Sequence, residues 1–211
     1  RYIKREPLGV VLNIAAWNYP LLIPVNVIIP AILAGNAVVI KHSSLTPLCA
    51  SIFEVAFDSV GAPKGLVSAL ILDHTNTQRI IQSDLIDHLS FTGSVSAGKK
   101  IRSWVSKNFI DIGFELGGKD PAYIREDANI EAAIAGVMDG VFYNAGQSCC
   151  GVERVYVHSS LFESFLDAAI KFMNNLSIGS PTNYSTDIGP LAQQTGISTI
   201  KDQILDAKSK G

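Results

Sequence analysis

A thiol, a carboxylate and a carboxamide stand at three separated places in this chain, each in a setting that suits chemistry. The thiol lies in Phe142-Tyr143-Asn144-Ala145-Gly146-Gln147-Ser148-Cys149-Cys150-Gly151, where small and polar neighbours leave little bulk to bury it. Glu115 opens Glu115-Leu116-Gly117-Gly118-Lys119, a stretch whose two glycines let backbone or ligand approach closely. Asn18, in Ala16-Trp17-Asn18-Tyr19-Pro20, follows an apolar run and places an amide donor just past the carboxyl end of an expected strand. Ligands of open α/β sheets bind at that edge. A thiol and a carboxylate are a nucleophile and a base, and carbonyl addition also needs a donor for the oxyanion. Each residue has a plainer reading. A free cysteine is usually a small buried hydrophobe, an isolated Glu a surface charge, and an Asn near Pro a turn former. Cys49, among Leu48, Ala50 and Ile52, is expected to be of the buried kind.

Length and composition bound the scaffold. A chain of 211 residues can bury a sizeable core as one large or two small domains. With 47% hydrophobic and 17% charged residues it reads as globular, not as a disordered tail. A formal net charge of -2 without a basic cluster offers a phosphate backbone nothing, so small molecules, not nucleic acids, are the expected partners. The longest apolar region, Val25 to Ile40, is broken by Asn26, Pro30, Gly35 and Asn36, and no membrane span is expected. Three cysteines make no disulfide framework, and adjacent Cys149 and Cys150 are poorly placed to bridge each other; a reducing, cytoplasmic compartment fits. His42, His74, His88 and His158 lack metal-ligand spacing, so no metal is assigned. The chain begins at Arg1 without Met and ends at Lys210-Gly211 inside an expected helix, as a fragment would.

The elements that must position these residues alternate. Leu8 to Ala15 reads as a strand, followed by the turn at Asn18 and Pro20 and a helix ending at Gly35-Asn36. Ala37 to Ile40 is an uninterrupted apolar run of the kind covered on both faces, with Lys41 at its carboxyl end. Pro47 suits the first turn of a helix to about Val60, stopped by Gly61-Ala62-Pro63. Leu66 to Leu72 and Ile86 to Phe91 are further strands, with a short helix from Thr75 to Ser83 between them. Thr92-Gly93-Ser94 then opens a helix from Val95 to Lys107. Ser94 reads as its N-cap, and the free N–H groups of such a turn also suit an anion, although no Gly-x-Gly-x-x-Gly fingerprint is present. This alternation predicts an α/β fold with a doubly wound, Rossmann-like parallel sheet. Phe109 to Glu115 leads into Gly117-Gly118, where a boundary separates residues 1–117 from part of a second α/β domain, 118–211. There a helix from Ile130 to Phe142 feeds the cysteine loop. Val152 to His158 reads as a strand, Leu161 to Asn174 as a helix, Ile178 to Pro190 as a loop, and a last helix begins near Gln193.

Four motifs in order, Trp17-Asn18, Phe91-Thr92-Gly93-Ser94, Glu115-Leu116-Gly117-Gly118-Lys119 and Gly146-Gln147-Ser148-Cys149, make the chain resemble the aldehyde dehydrogenase superfamily over essentially its whole length. The resemblance implies an NAD(P)-dependent oxidoreductase that turns an aldehyde into a carboxylic acid through a cysteine thiohemiacetal and a thioester. It selects Cys149 over Cys150, because the family places its nucleophile two residues after the Gln. It implies Glu115 as general base, and the Asn18 amide as partner of the Cys149 N–H in holding the oxyanion. Its dinucleotide site would comprise Trp17, Lys41 and Ser44, then Thr92, Gly93 and Ser94, then Leu116, with Lys41 on the adenosine ribose. Residues 1–117 would then be most of the cofactor-binding domain and 118–211 the first part of the catalytic domain. A complete protein with further N- and C-terminal portions, assembled as a homo-oligomer, is also implied. The rival readings are a catalytically silent cofactor-binding scaffold and a thiol esterase using the same Cys and Glu. Three positions depart from the family pattern. Ser44 stands where many NAD-preferring relatives carry Glu, which leaves NAD and NADP both open. Asp73 or a neighbour replaces a common glycine, and Val27 a common lysine.

Overall fold

The computed structural model describes residues 2–211; Arg1, the first residue of the expected cofactor-binding domain, lies outside them. The chain divides into two compact units, one ending at Gly117 and the other spanning Gly118–Gly211.

The first unit is a doubly wound α/β layer on five strands: β1 (Val10–Ala15), β2 (Ala37–His42), β3 (Val67–Leu70), β4 (His88–Gly93) and β5 (Asp111–Leu116). Their spatial order is β3-β2-β1-β4-β5 and every pairing is parallel. All five carboxyl ends therefore share one rim, and the winding reverses between β1 and β4, where such sheets open a ligand crevice. The crossovers are α1 (Leu22–Leu33), α2 (Cys49–Ser59), α3 (His74–Ile81) and α4 (Val95–Val105). Helices α1 and α2 bring Ile28 and Ala50 against Val11, Val38 and Ile40 on one face. On the other, α3 and α4 bring Ile81 and Ile101 against Leu12, Leu89 and Phe91. Val11 and Leu12, successive residues of β1, feed opposite cores, and burial on both faces is why Ala37 to Ile40 of β2 reads as an unbroken apolar run. Edge strand β5 alternates instead: Asp111, Gly113 and Glu115 are exposed, whereas Ile112, Phe114 and Leu116 pack on the second of these cores.

Local punctuation fixes the helix starts. Asp73 caps α3, its Oδ1 accepting from the Asn76 N–H at 2.7 Å, and Ser94 caps α4, accepting from the Ala97 N–H at 3.2 Å. Strand β3 stops at Leu70, short of the expected Leu72, and β4 begins at His88 although Ile86 is already buried.

The second unit pairs β6 (Asp120–Ile124) in parallel with β7 (Val152–Val157) and carries α5 (Ile130–Phe142), α6 (Phe162–Asn174) and α7 (Gln194–Lys210). Its core joins Ile134, Val137 and Met138 of α5 to Phe165 and Ala169 of α6 and to Ile124. Asn129 caps α5 by accepting from the Ala132 N–H at 3.0 Å. Strand β6 has no counterpart among the expected elements, because Asp120-Pro121 carries turn chemistry. The ladder is irregular at just that step, which accommodates a residue without an N–H. Among the described residues, no helix is long and apolar enough to cross a membrane.

Candidate functional site

The carboxyl ends of β1, β2 and β4, with the facing sides of α3 and α4, enclose a cavity of about 460 Å³. That volume lies within the range of small-molecule sites. Trp17 contributes from beyond β1, Lys41 and Ser44 from the end of β2, and Thr92, Gly93 and Ser94 from the end of β4. Six of the seven residues read as cofactor-binding thus line one space. The seventh, Leu116, does not line it. It sits opposite Gly93 at the end of β5 and packs toward α4, where a Cβ on Gly98 would lie 2.9 Å from its Cδ2.

Lys41 is changed by this setting. It is only 7% exposed, because β2 is flanked by β1 and β3, and burial lowers its pKa from the ordinary lysine value. Among the described residues it forms no ion pair. The cavity lining holds a second lysine, Lys100, and no Asp or Glu. A buried amine, several hydroxyls and the N-terminus of α4 facing one space form a donor set that fits the ribose and phosphates of a dinucleotide. His74, Lys100 and Trp104 also line the cavity and are not among the residues that the sequence points to as cofactor-binding. Lys100 follows Ser96 by one helical turn, so the Ser94 cap and a period of 3.6 could have placed it.

Asn18 and Glu115 lie on the same carboxyl rim. Asn18 is half-buried in the turn between β1 and α1, next to Trp17. Glu115 is exposed on edge strand β5, in register with Thr92 of β4.

Cys149 belongs to the second unit. Beyond α5 the chain turns through Asn144 (φ 53°), Ala145 (φ 56°) and Gly146 (φ 73°), three successive left-handed residues, two of which carry a Cβ. Such residues are each strained by about 1–2 kcal/mol. Reciprocal hydrogen bonds hold the turn: Gln147 donates to the Asn144 carbonyl from its backbone N at 3.1 Å and from Nε2 at 3.0 Å, and Asn144 Nδ2 donates to the Gln147 carbonyl at 3.3 Å. Gln147 Oε1 in turn accepts from the Ala192 N–H at 2.9 Å, tying this loop to the segment before α7. Past the turn, Cys149 and Cys150 are both exposed free thiols. The Cys149 pKa is raised, first by partial desolvation of its sulfur even though the residue as a whole is exposed, then by the charge and hydrogen bond of Cys150. Backbone hydrogen bonds oppose the rise. The loop therefore presents the sulfur without activating it. Cys49, at the start of α2, is half-buried. Among the described residues, no group of three or more His, Cys, Asp or Glu could hold a metal ion.

The family model described as "Aldehyde dehydrogenase family" matches residues 1–211. A succinate-semialdehyde dehydrogenase of Mycobacterium avium, named for NADP(+), is 33% identical over 210 residues, which is 100% of this chain and 44% of that protein. A betaine aldehyde dehydrogenase of Brucella anthropi is 35% identical over 219 residues, 100% of this chain and 43% of that protein. Among solved structures, PnpE in complex with nicotinamide adenine dinucleotide superposes with a TM-score of 0.93 at 34% identity, covering 99% of this chain and 43% of that one. The chain spans less than half the length of these relatives.

Proposed function

Because this chain belongs to the aldehyde dehydrogenase family, we propose that the whole protein oxidises an aldehyde to a carboxylic acid with NAD or NADP. The observation that carries the reading is the cavity at the switch point of the first unit, with Lys41 buried in its wall. In this reading Lys41 and Ser44 hold the adenosine ribose, the N-terminus of α4 receives the pyrophosphate, and Trp17 and Leu116 border the rest of the cofactor. A lining with two lysines and no carboxylate repels no 2′-phosphate, which favours NADP at least as much as NAD.

The catalytic roles follow from the side chains. Cys149 gives up its proton through a water to solvent and its sulfur adds to the aldehyde carbon, forming a thiohemiacetal. The Asn18 amide and the Cys149 N–H donate to the oxyanion. When bound, the nicotinamide supplies the acceptor for the hydride leaving that carbon. Glu115 then takes a proton from water, whose oxygen displaces the sulfur from the thioester and releases the acid. Since the cysteine loop holds the thiol above its ordinary range, Glu115, acting through a water, or the bound cofactor has to assist the first step. The first unit is thus read as the cofactor-binding domain and the second as part of the catalytic domain of a homo-oligomeric cytoplasmic enzyme.

The test is a panel of aldehydes with the full-length protein, following reduced nicotinamide with NAD and NADP separately, alongside acid release from an ester without cofactor. Nicotinamide reduction supports the dehydrogenase. Ester cleavage without reduction points to a thiol esterase, and dinucleotide binding without either activity to a silent scaffold.

A further inference from the structure

We propose that His42 is a positioning residue that locks the loop carrying Asn18 to the loop carrying Ser44, so that two walls of the cavity hold one fixed spacing. The proposal rests on the cofactor site described above and concerns a residue outside its lining.

His42 ends β2 and is 3% exposed. Both ring nitrogens are engaged, and on different loops. Nε2 lies 2.8 Å from the carbonyl oxygen of Pro20, in the turn that runs from Asn18 into α1. Nδ1 lies 3.0 Å from the Ser43 N and 2.8 Å from the Thr46 hydroxyl, in the turn that runs from β2 into α2. A carbonyl oxygen only accepts and a backbone N–H only donates, so the tautomer is fixed: Nε2 carries the proton and Nδ1 offers its lone pair. The Ser43 N–H is shared with the Ala15 carbonyl at 2.9 Å, which ties the same amide to the end of β1. Trp17 stands shortly before Pro20, and Ser43 and Ser44 stand between His42 and Thr46; all three line the cavity. One neutral imidazole therefore bridges the two segments on which that wall is built.

A buried, satisfied histidine is the plainer reading, and charge separates the two. Protonation would turn Nδ1 into a donor facing the Ser43 donor, so the bridge exists only in the neutral ring. Burial lowers the His42 pKa most, the charge of Lys41 lowers it further, and the bond to Pro20 opposes both. Lys41 is the charged group acting on the ring among the described residues, and Pro20, Ser43 and Thr46, which contact it from the two loops, do not titrate. The native value thus lies below the unfolded value of about 6.5. The contribution of the bridge is complete above that value and is lost as pH falls from it toward the native one.

The test uses the full-length protein with His42→Asn, which keeps an acceptor near Nδ1 but loses Pro20, and His42→Gln, which places an N–H near Nε2 and keeps Pro20. Hydrogen exchange of segments 17–20 and 43–46 reads the lock directly, and titration with NADPH and NADH against pH reads its effect on the site. We expect faster exchange in segment 17–20 for His42→Asn, with about tenfold weaker dinucleotide binding near neutrality. His42→Gln should restore most of the affinity, and both variants should lack an acid-side loss of affinity that the unaltered protein shows. Should either substitution prevent folding, Thr46→Val removes one bond only and should give a smaller change of the same kind. Unchanged exchange in both segments, or an acid limb retained by the variants, overturns the proposal. If the unaltered protein binds neither nucleotide, the cofactor reading fails, while exchange still decides whether the lock exists.

Discussion

Replacing Lys41 by Met is expected to strengthen the fold while weakening the ligand site, and the two effects can be measured apart. The residue is nearly fully covered between β1 and β3, and burial is what lowers its pKa. Its charged form is therefore disfavoured in the folded chain relative to the unfolded one. Methionine keeps the length and the apolar stem and removes the charge. Relief of a buried, incompletely compensated polar group is worth about 1–3 kcal/mol, and each kcal/mol raises the melting midpoint by roughly 4 °C in a unit of this length. The effect has a pH signature. With a native pKa below the unfolded value of about 10.4, Lys41 is deprotonated earlier in the folded state, so the unaltered protein gains stability as pH rises through that window. The advantage of the Met variant should be largest near neutrality and shrink as pH rises toward the unfolded lysine value. For the ligand the sign is opposite. Loss of a charge-assisted hydrogen bond removes about 1.5–3 kcal/mol, roughly ten- to hundred-fold in dinucleotide Kd. Thermal melts across that pH range and fluorescence titration with NADPH supply both readouts. A Met variant that melts lower than its parent, or binds NADPH equally well, would refute the reasoning.

Other expectations concern the remaining site residues. Cys149→Ala should abolish aldehyde turnover and Cys150→Ala should leave most of it; the reverse pattern would identify Cys150 as the nucleophile. Because Cys150 helps raise the Cys149 pKa, Cys150→Ala should also move the alkylation profile of Cys149 by iodoacetamide to lower pH. Asn18→Ala should raise the barrier by about 3 kcal/mol, on the order of a hundred-fold in kcat, with dinucleotide Kd little changed; an unaltered kcat would remove Asn18 from the oxyanion site. A β-branched side chain at the left-handed Ala145 (φ 56°) should destabilise the second unit. Urea unfolding of Ala145→Val is expected to show a loss of about 1–3 kcal/mol, with Ala145→Gly close to neutral.

What the sequence discloses depends on where the physical cause resides. Strand β2 is legible because burial on both faces demands apolar residues from Ala37 to Ile40, β1 because it departs from that run only at Asn13, and β4 through the alternation that buries Leu89 and Phe91. Helix α5 is legible to its ends, since Asn129 caps it and the Asn144–Gly146 turn breaks it. Rim residues such as Thr92 to Ser94 stand out as polar punctuation after apolar runs. Strand β6 is hidden because Asp120-Pro121 looks like a turn, and the ladder that accommodates it is made with residues more than thirty positions away. His42 is hidden for a different reason: a search for metal spacing asks what other side chains lie near, whereas its partners include a carbonyl oxygen and an amide of the backbone. The buried state of Lys41 is equally invisible, because it follows from the neighbours of β2 in the sheet and not from its neighbours in the chain.

The common direction of the five strands leaves the opposite rim of the sheet free of site residues. At that end Gly65, with φ 81°, precedes β3 and has no heavy atom within 4 Å of where a Cβ would stand. Exposed turns of this kind tolerate spliced segments. The Pro63–Gly65 corner is therefore the natural attachment point for an affinity handle or an optical reporter, a full strand length from the cavity rim of the same sheet.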